Sequence, residues 1–165
     1  NPFYKTFFCI AGFGDNGLDA ITCHKILIKN SVNSSLFIID RSKVKASFLD
    51  GVLYHSKIEN IDFASYDIIV DGIFGTGLNR QVTGNFADVI NKISKCKNVV
   101  SIDIPSGVFA DTGIALGPSV NASSTITFTY PKISHFIGEG YNKSGELFIY
   151  EIGHYEDSIL SLIHI

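Results

Sequence analysis

The sequence predicts an α/β fold built on a mostly parallel, doubly wound sheet, and three observations predict it. Apolar, strand-like runs alternate with helical stripes along the chain. The first run, residues 6–11 (TFFCIA), is almost continuously apolar, as expected of a strand buried on both faces. Aspartate and glycine recur directly after the strand-like runs, at the edge where such a sheet binds its ligands.

The elements follow in order. Residues 19–29 carry apolar side chains at Ala20, Ile21, Cys23, Ile26, Leu27 and Ile28, a spacing that predicts a helix covering the sheet. Residues 36–39 form a short second strand ending at Asp40, and residues 43–56 are open to a helix. DIIVD (67–71) is a third strand, and Phe86, Val89, Ile90 and Ile93 make a second helical stripe. VVSIDI (99–104) is a fourth strand, stopped by Pro105. TITFTY, within 124–130, and ELFIYEI (146–152) are the last two strands, joined by a polar, glycine-bearing loop over 131–144. The tail HYEDSILSLIHI is compatible with a linker or a short helix.

The 165 residues suit one domain, 1–165, with no internal repeat or linker. With 45% hydrophobic and 18% charged residues the chain is globular, not disordered. A net charge of -3 provides no basic footprint for nucleic acid, and no apolar run reaches the length of a membrane span. The start, NPFYKTFF, lacks the layout of a signal peptide, and three cysteines (Cys9, Cys23, Cys96) form no CxxC pair. Core thiols and a cytoplasmic location are the expectation. No methionine is present, so Asn1 is not a translation start.

GFGDNG (12–17) matches the G-x-G-x-x-G pattern that cradles a pyrophosphate, and Asp40 imitates a ribose-binding acid. Asp15 and Asp19 argue against a phosphate there. Two like charges about 4 Å apart cost on the order of 4 kcal/mol at an effective dielectric of about 20. The acidic loop suits a cation or hydroxyl groups better. Asn16 offers an amide oxygen, Asp71 a carboxylate and Ser106 a hydroxyl, a hard oxygen set for an alkali or alkaline-earth ion rather than zinc. Arg80 and the backbone N–H groups of its glycine-bearing loop are the better phosphate candidates, and Lys132 is either a further cation beside a phosphate or a solvated loop lysine. His135 is either an acid–base group near the site or a structural hydrogen-bonder.

Four motifs and a closing strand occur in the order found in the YjeF N-terminal domain, the NAD(P)H-hydrate epimerase family. GFGDNGLDA resembles the family's G-x-G-N-N-G-G-D-G, and DGIFGTGLNRQVTG resembles its D-A-hydrophobic-F-G-T-G-L-x-R loop. SIDIPSGVFADTG resembles its I-D-I-P-S-G segment, TITFTYPKISH its T-x-T-F-x-x-P-K-x-G-H, and ELFIYEIG its closing strand. The resemblance spans about residues 6–153. It implies a Rossmann-like three-layer α/β/α sandwich, usually dimeric, that interconverts the R and S epimers of hydrated NADH and NADPH. The family acts with an ATP- or ADP-dependent dehydratase, sometimes fused to it.

Carried over residue by residue, the resemblance implies potassium on Asn16, Asp71 and Ser106. It implies substrate contacts at Asp15, Asn16, Gly17, Leu18 and Asp19, at Gly75, Thr76, Gly77, Leu78, Asn79, Arg80 and Gln81, and at Asp103. Asp103 is the candidate catalytic carboxylate, able to shuttle a proton and stabilise positive charge on the ring. The chain departs from the pattern at Asp15, where the family has Asn, and at Leu18 and Ala20, where it has glycine. The family's helical segment ahead of the first strand is also missing from residues 1–165. Leu18 is expected to crowd the ligand. A non-catalytic scaffold domain of the same fold is the alternative reading, and an NAD-dependent dehydrogenase is disfavoured by the acidic loop.

Overall fold

Six strands, β1 (Phe7–Ala11), β2 (Ser34–Ile38), β3 (Ile68–Gly72), β4 (Val99–Ile102), β5 (Ser124–Phe128) and β6 (Glu146–Tyr150), pair in the order β2-β1-β3-β4-β5-β6. Every pairing in this computed structural model, which describes residues 5–152, is parallel. The sheet is therefore wholly rather than mostly parallel. The chain winds outward from β1 to β2 on one side, then crosses back to β3 on the other. That reversal leaves a crevice at the carboxyl ends of β1 and β3.

Strand alternation builds two cores. Phe8, Ile10, Ile69 and Val99 face Val89, Ile90 and Ile93 of helix α2 (Gly84–Ile93). Cys9, Ala11, Val70 and Ile102 face Ala20 and Ile21 of helix α1 (Asp15–Lys29). Each fully buried Val, Ile or Phe contributes roughly 1.5–3 kcal/mol, so these two layers hold the sheet between the helices. Cys9 lies in the α1-side core, where the neighbouring Cys23 thiol and burial push its own thiol far up, so it is an inert core group.

Three elements differ most from the sequence expectation, while β2 covers Ser34–Ile38 rather than 36–39 and β4 ends at Ile102 rather than at 104. Helix α1 starts at Asp15, not at residue 19, because the acidic first turn suits a helix N-terminus and Gly14 accepts the N–H of Leu18. Residues 43–56 contain no α-helix. Single turns at Arg41–Lys43 and Ala46–Phe48 drop Val44 and Leu49 into the core, and His55 then donates its N–H to Leu36 at the sheet edge. The segment 131–144 is not all loop: it holds a turn at Ile133–His135 and helix α3 (Gly138–Ser144). Gly138, Gly140, Asn142 and Ser144 are poor helix formers, which hid α3 from the sequence. Tertiary contacts hold it instead, with Gly140 N–H donating to Gly113 and Thr125 Oγ1 donating to the Ser144 carbonyl. The tail from His154 onward lies outside the described residues. No helix among the described residues is long and apolar enough to cross a membrane.

Candidate active site

The turn after β1 is built by close approach. A Cβ on Gly12 would stand 2.1 Å from the Ile73 carbonyl oxygen, and one on Gly17 would stand 2.2 Å from the Gly12 oxygen. Both glycines therefore serve chain packing. Gly14, between them, has nothing near its Cβ position and opens onto a cavity of about 590 Å3.

That cavity lies over the crevice between β1 and β3. Its walls come from Phe13, Gly14, Asp15, Asn16 and Asp19 on one side and from residues 73–80 on the other, with Asp103, Phe128 and Lys132 closing it. Of the residues singled out in the sequence, Asp15, Asn16, Asp19, Gly75, Thr76, Gly77, Leu78, Asn79, Arg80, Asp103 and Lys132 line it. Gly17, Leu18 and Gln81 stand outside the lining. Gly17 is pressed on Gly12, and Leu18 packs among the apolar residues between α1 and the sheet, so it does not crowd the ligand space. Ala20 is accommodated because Gly72, against which its Cβ rests, has no side chain.

Asp71 and Ser106 lie beneath the cavity floor. The Asp71 carboxylate is fully buried and accepts from Ser101 Oγ (2.8 Å), Ser106 Oγ (2.6 Å), Ser106 N–H (2.9 Å) and Ile73 N–H (3.3 Å). Burial pushes its pKa up, and the Ser106, Ser101 and Ile73 donors pull it back. Ser106 Oγ also accepts the Phe74 N–H at 2.8 Å, so this knot fixes the start of the 73–80 loop. Asn16 stands against Gly75, and its Nδ2 is buried without a hydrogen-bond partner.

Asp103 follows β4 in a three-residue turn, closed by the Ile104 N–H donating to the Ile102 carbonyl. Its φ is 66°, a left-handed conformation that costs a non-glycine residue roughly 1–3 kcal/mol and persists only where the surroundings over-determine it. They do so here. The Asp103 N–H donates to Ile126, and Oδ1 accepts from Lys132 Nζ at 2.5 Å and Thr127 Oγ1 at 3.0 Å. Lys132 Nζ also reaches Thr127 Oγ1 at 2.9 Å. The other oxygen, Oδ2, points at the Gly75 backbone beside the Asn16 amide. Asp19 is solvent-exposed at the cavity rim, and partial desolvation there, then the charges of Asp15 and Asp103, raise its pKa.

Sequence reasoning missed an aromatic wall. Phe13 and Phe74 line the cavity and both pack on Phe86 of α2, with ring centroids 5.6 and 5.0 Å away, and Lys43 Nζ sits 4.5 Å over the Phe13 ring. Phe13 and Phe74 each follow a strand by a few residues, which was the available signal.

The profile described as YjeF-related protein N-terminus matches residues 2–134. The chain belongs to this family. Among YjeF N-terminal relatives, the NAD(P)H-hydrate epimerase of Weissella koreensis is 35% identical over 161 residues, covering 92% of this chain and 72% of the relative. The bifunctional NAD(P)H-hydrate repair enzyme Nnr of Thermofilum pendens is 31% identical, and its match covers 88% of this chain and 31% of the longer relative. Among solved structures, the yeast protein YNL200c superposes with a TM-score of 0.71 at 26% identity, covering 92% of this chain and 67% of that one. The YjeF N-terminal fold, a Rossmann-like α/β sandwich, is thus shared.

Proposed function

We propose that this chain is an isomerase, an NAD(P)H-hydrate epimerase that interconverts the R and S epimers of hydrated NADH and NADPH. One observation carries the reading beyond family membership. Asp103 is held in a strained turn, paired with the Lys132 ammonium, and directs its free oxygen toward Gly75 at the cavity wall.

The reacting carbon bears a hydroxyl and a ring nitrogen. Inverting it requires the C–O bond or the ring C–N bond to break and re-form on the opposite face. In the first route the nitrogen lone pair expels the hydroxyl, which takes up a proton and leaves as water. Water then adds to the other face and returns the proton. In this reading Lys132 gives and regains that proton and Asp103 stabilises the ring cation between the two steps, which their pairing at the cavity wall supports. Asp15 and Asp19 add negative potential on the same cavity, which favours the cation over the neutral ground state. The backbone and Arg80 of the 75–80 loop suit the phosphates, and the Phe13–Phe74 wall suits a flat ring.

The residues around Asp71 fit a monovalent cation. Among the described residues Asp71 has no ion-pair partner, although it is fully buried. The orphaned Asn16 amide becomes an oxygen donor by a simple flip, and Asn16, Asp71 and Ser106 all border residues 72–75. Potassium held by Asn16, Asp71 and Ser106 would supply positive charge against the buried carboxylate. The epimer released is the substrate of a dehydratase, consistent with the joined activities in the names of the bifunctional relatives. The test is direct: purified protein is mixed with a single epimer of hydrated NADH and the ratio of epimers is followed by chromatography. Conversion many-fold faster than the spontaneous rate is expected. A rate equal to the protein-free control overturns the assignment.

A further inference from the structure

His135 is 3% exposed and sits one turn beyond Lys132. Its two ring nitrogens have different partners. Nδ1 lies 3.0 Å from the Lys132 backbone N–H, which can only donate, and Nε2 lies 2.9 Å from the Asp103 carbonyl, which can only accept. The ring is therefore neutral, with its proton on Nε2. Asp103 and Lys132 are far apart in sequence, on the loops after β4 and β5, and His135 bonds the backbone of both.

The strained turn at Asp103 makes this contact consequential. A residue at φ 66° relaxes unless each of its polar groups is held. The N–H is taken by Ile126, the carboxylate by Lys132 and Thr127, and the carbonyl by His135. Without His135 the Asp103 carbonyl and the Lys132 amide both lose their buried partner, and the turn is free to rotate the carboxylate away from Gly75.

We propose that His135 is the positioning residue of the site: its neutral imidazole clamps the Asp103 carbonyl to the Lys132 amide, so that carboxylate and ammonium meet the substrate as a preformed pair. It touches no reacting atom and acts through Asp103 and Lys132. The inference rests on the epimerase reading for its kinetic consequence, while the clamp itself is a property of the free protein. The groups facing the imidazole include Asp103 and Lys132, and burial lowers its pKa, which keeps it neutral near pH 7.

The test has two arms. In the first, kcat for epimerisation is compared among wild type, His135→Leu and His135→Gln, each with Asp103 intact and with Asp103→Asn. His135→Leu is expected to lower kcat by about 10- to 100-fold with little change in KM, the scale of a misplacement near 1 Å. His135→Gln, which keeps a donor for the Asp103 carbonyl, should restore most of the loss. In the Asp103→Asn background, His135→Leu should cost markedly less, since only its hold on Lys132 is left to lose. An equal loss in both backgrounds, or a loss matched by the unfolded fraction, overturns the proposal. The second arm needs no activity and no variant fold: the imidazole 15N resonances of the wild type, recorded at pH 7 without substrate. The Nε2–H tautomer supports the clamp; an Nδ1–H or doubly protonated ring overturns it, even if the wild type proves inactive as an epimerase.

Discussion

Ser106→Ala removes one oxygen from beneath the cavity floor, and the structure allows its cost to be worked out. Ser106 Oγ donates to the Asp71 carboxylate at 2.6 Å and accepts from the Phe74 N–H at 2.8 Å, and Asp71 is fully buried. Losing a hydrogen bond to a buried charge costs about 1.5–3 kcal/mol, and leaving the part-buried Phe74 N–H without a partner costs at most about 1–3 kcal/mol. The contacts share one atom and are not independent, so the sum is set at about 3–5 kcal/mol. For a chain of this size that is a fall in Tm of about 6–20 °C. Urea unfolding followed by circular dichroism reads the free energy, and a thermal scan reads Tm. The same scan, repeated with potassium against an organic cation at equal ionic strength, reads the ion. A cation at 100 times its Kd stabilises the folded state by about 2.7 kcal/mol. Potassium should raise the wild-type Tm and leave Ser106→Ala unmoved. A loss below about 1 kcal/mol would show that the knot does not hold the 73–80 loop. A potassium shift that survives the substitution would remove Ser106 from the ion site.

Asp103→Asn should lower kcat by about 100- to 10,000-fold while the protein stays folded, measured by the epimer assay; an unchanged kcat removes Asp103 from the chemistry. Gly75→Ala puts a Cβ 3.3 Å from both Asn16 Cγ and Asp103 Oδ2, so it should impair turnover more than it lowers Tm, read by kinetics beside a melt. Ile90→Ala empties a fully buried position on α2 and should cost about 2–5 kcal/mol in urea unfolding, with m unchanged. Burial lowers the pKa of His24 and His135 from 6.5, so the unfolded chain binds protons before the folded one does as pH falls. Their contribution is full above about pH 6.5 and is lost as pH drops from there toward the folded values, so stability should decline over that window. His135→Gln should flatten the decline in urea unfolding recorded pH by pH.

The strands were legible because a parallel sheet buries both faces, so Phe8, Cys9 and Ile10 appear as an unbroken apolar run. Asp103 and the 75–80 loop were legible because they follow strands directly, and strand ends converge in space. Helix α3 was not, since its stability comes from contacts such as the one between Gly140 and Gly113 that leave no periodic trace. Leu18 misled for a related reason. A motif position does not state which way its side chain points, and in helix α1 Leu18 turns toward the apolar layer. His135 was ambiguous because its partner, the carbonyl of Asp103, belongs to the backbone and has no signature in the sequence.

The glycines at 12 and 17 carry a wider consequence. Gly12 is demanded by the Ile73 oxygen after β3 and Gly17 by the Gly12 oxygen, so their spacing records how tightly the first turn of α1 and the loop after β3 close on the end of β1. Packing this close asks for glycine at those two positions whatever the protein binds, and leaves the middle one, Gly14, undemanded. The pattern diagnoses crowding, and the chemistry of the guest must be read from the side chains left over.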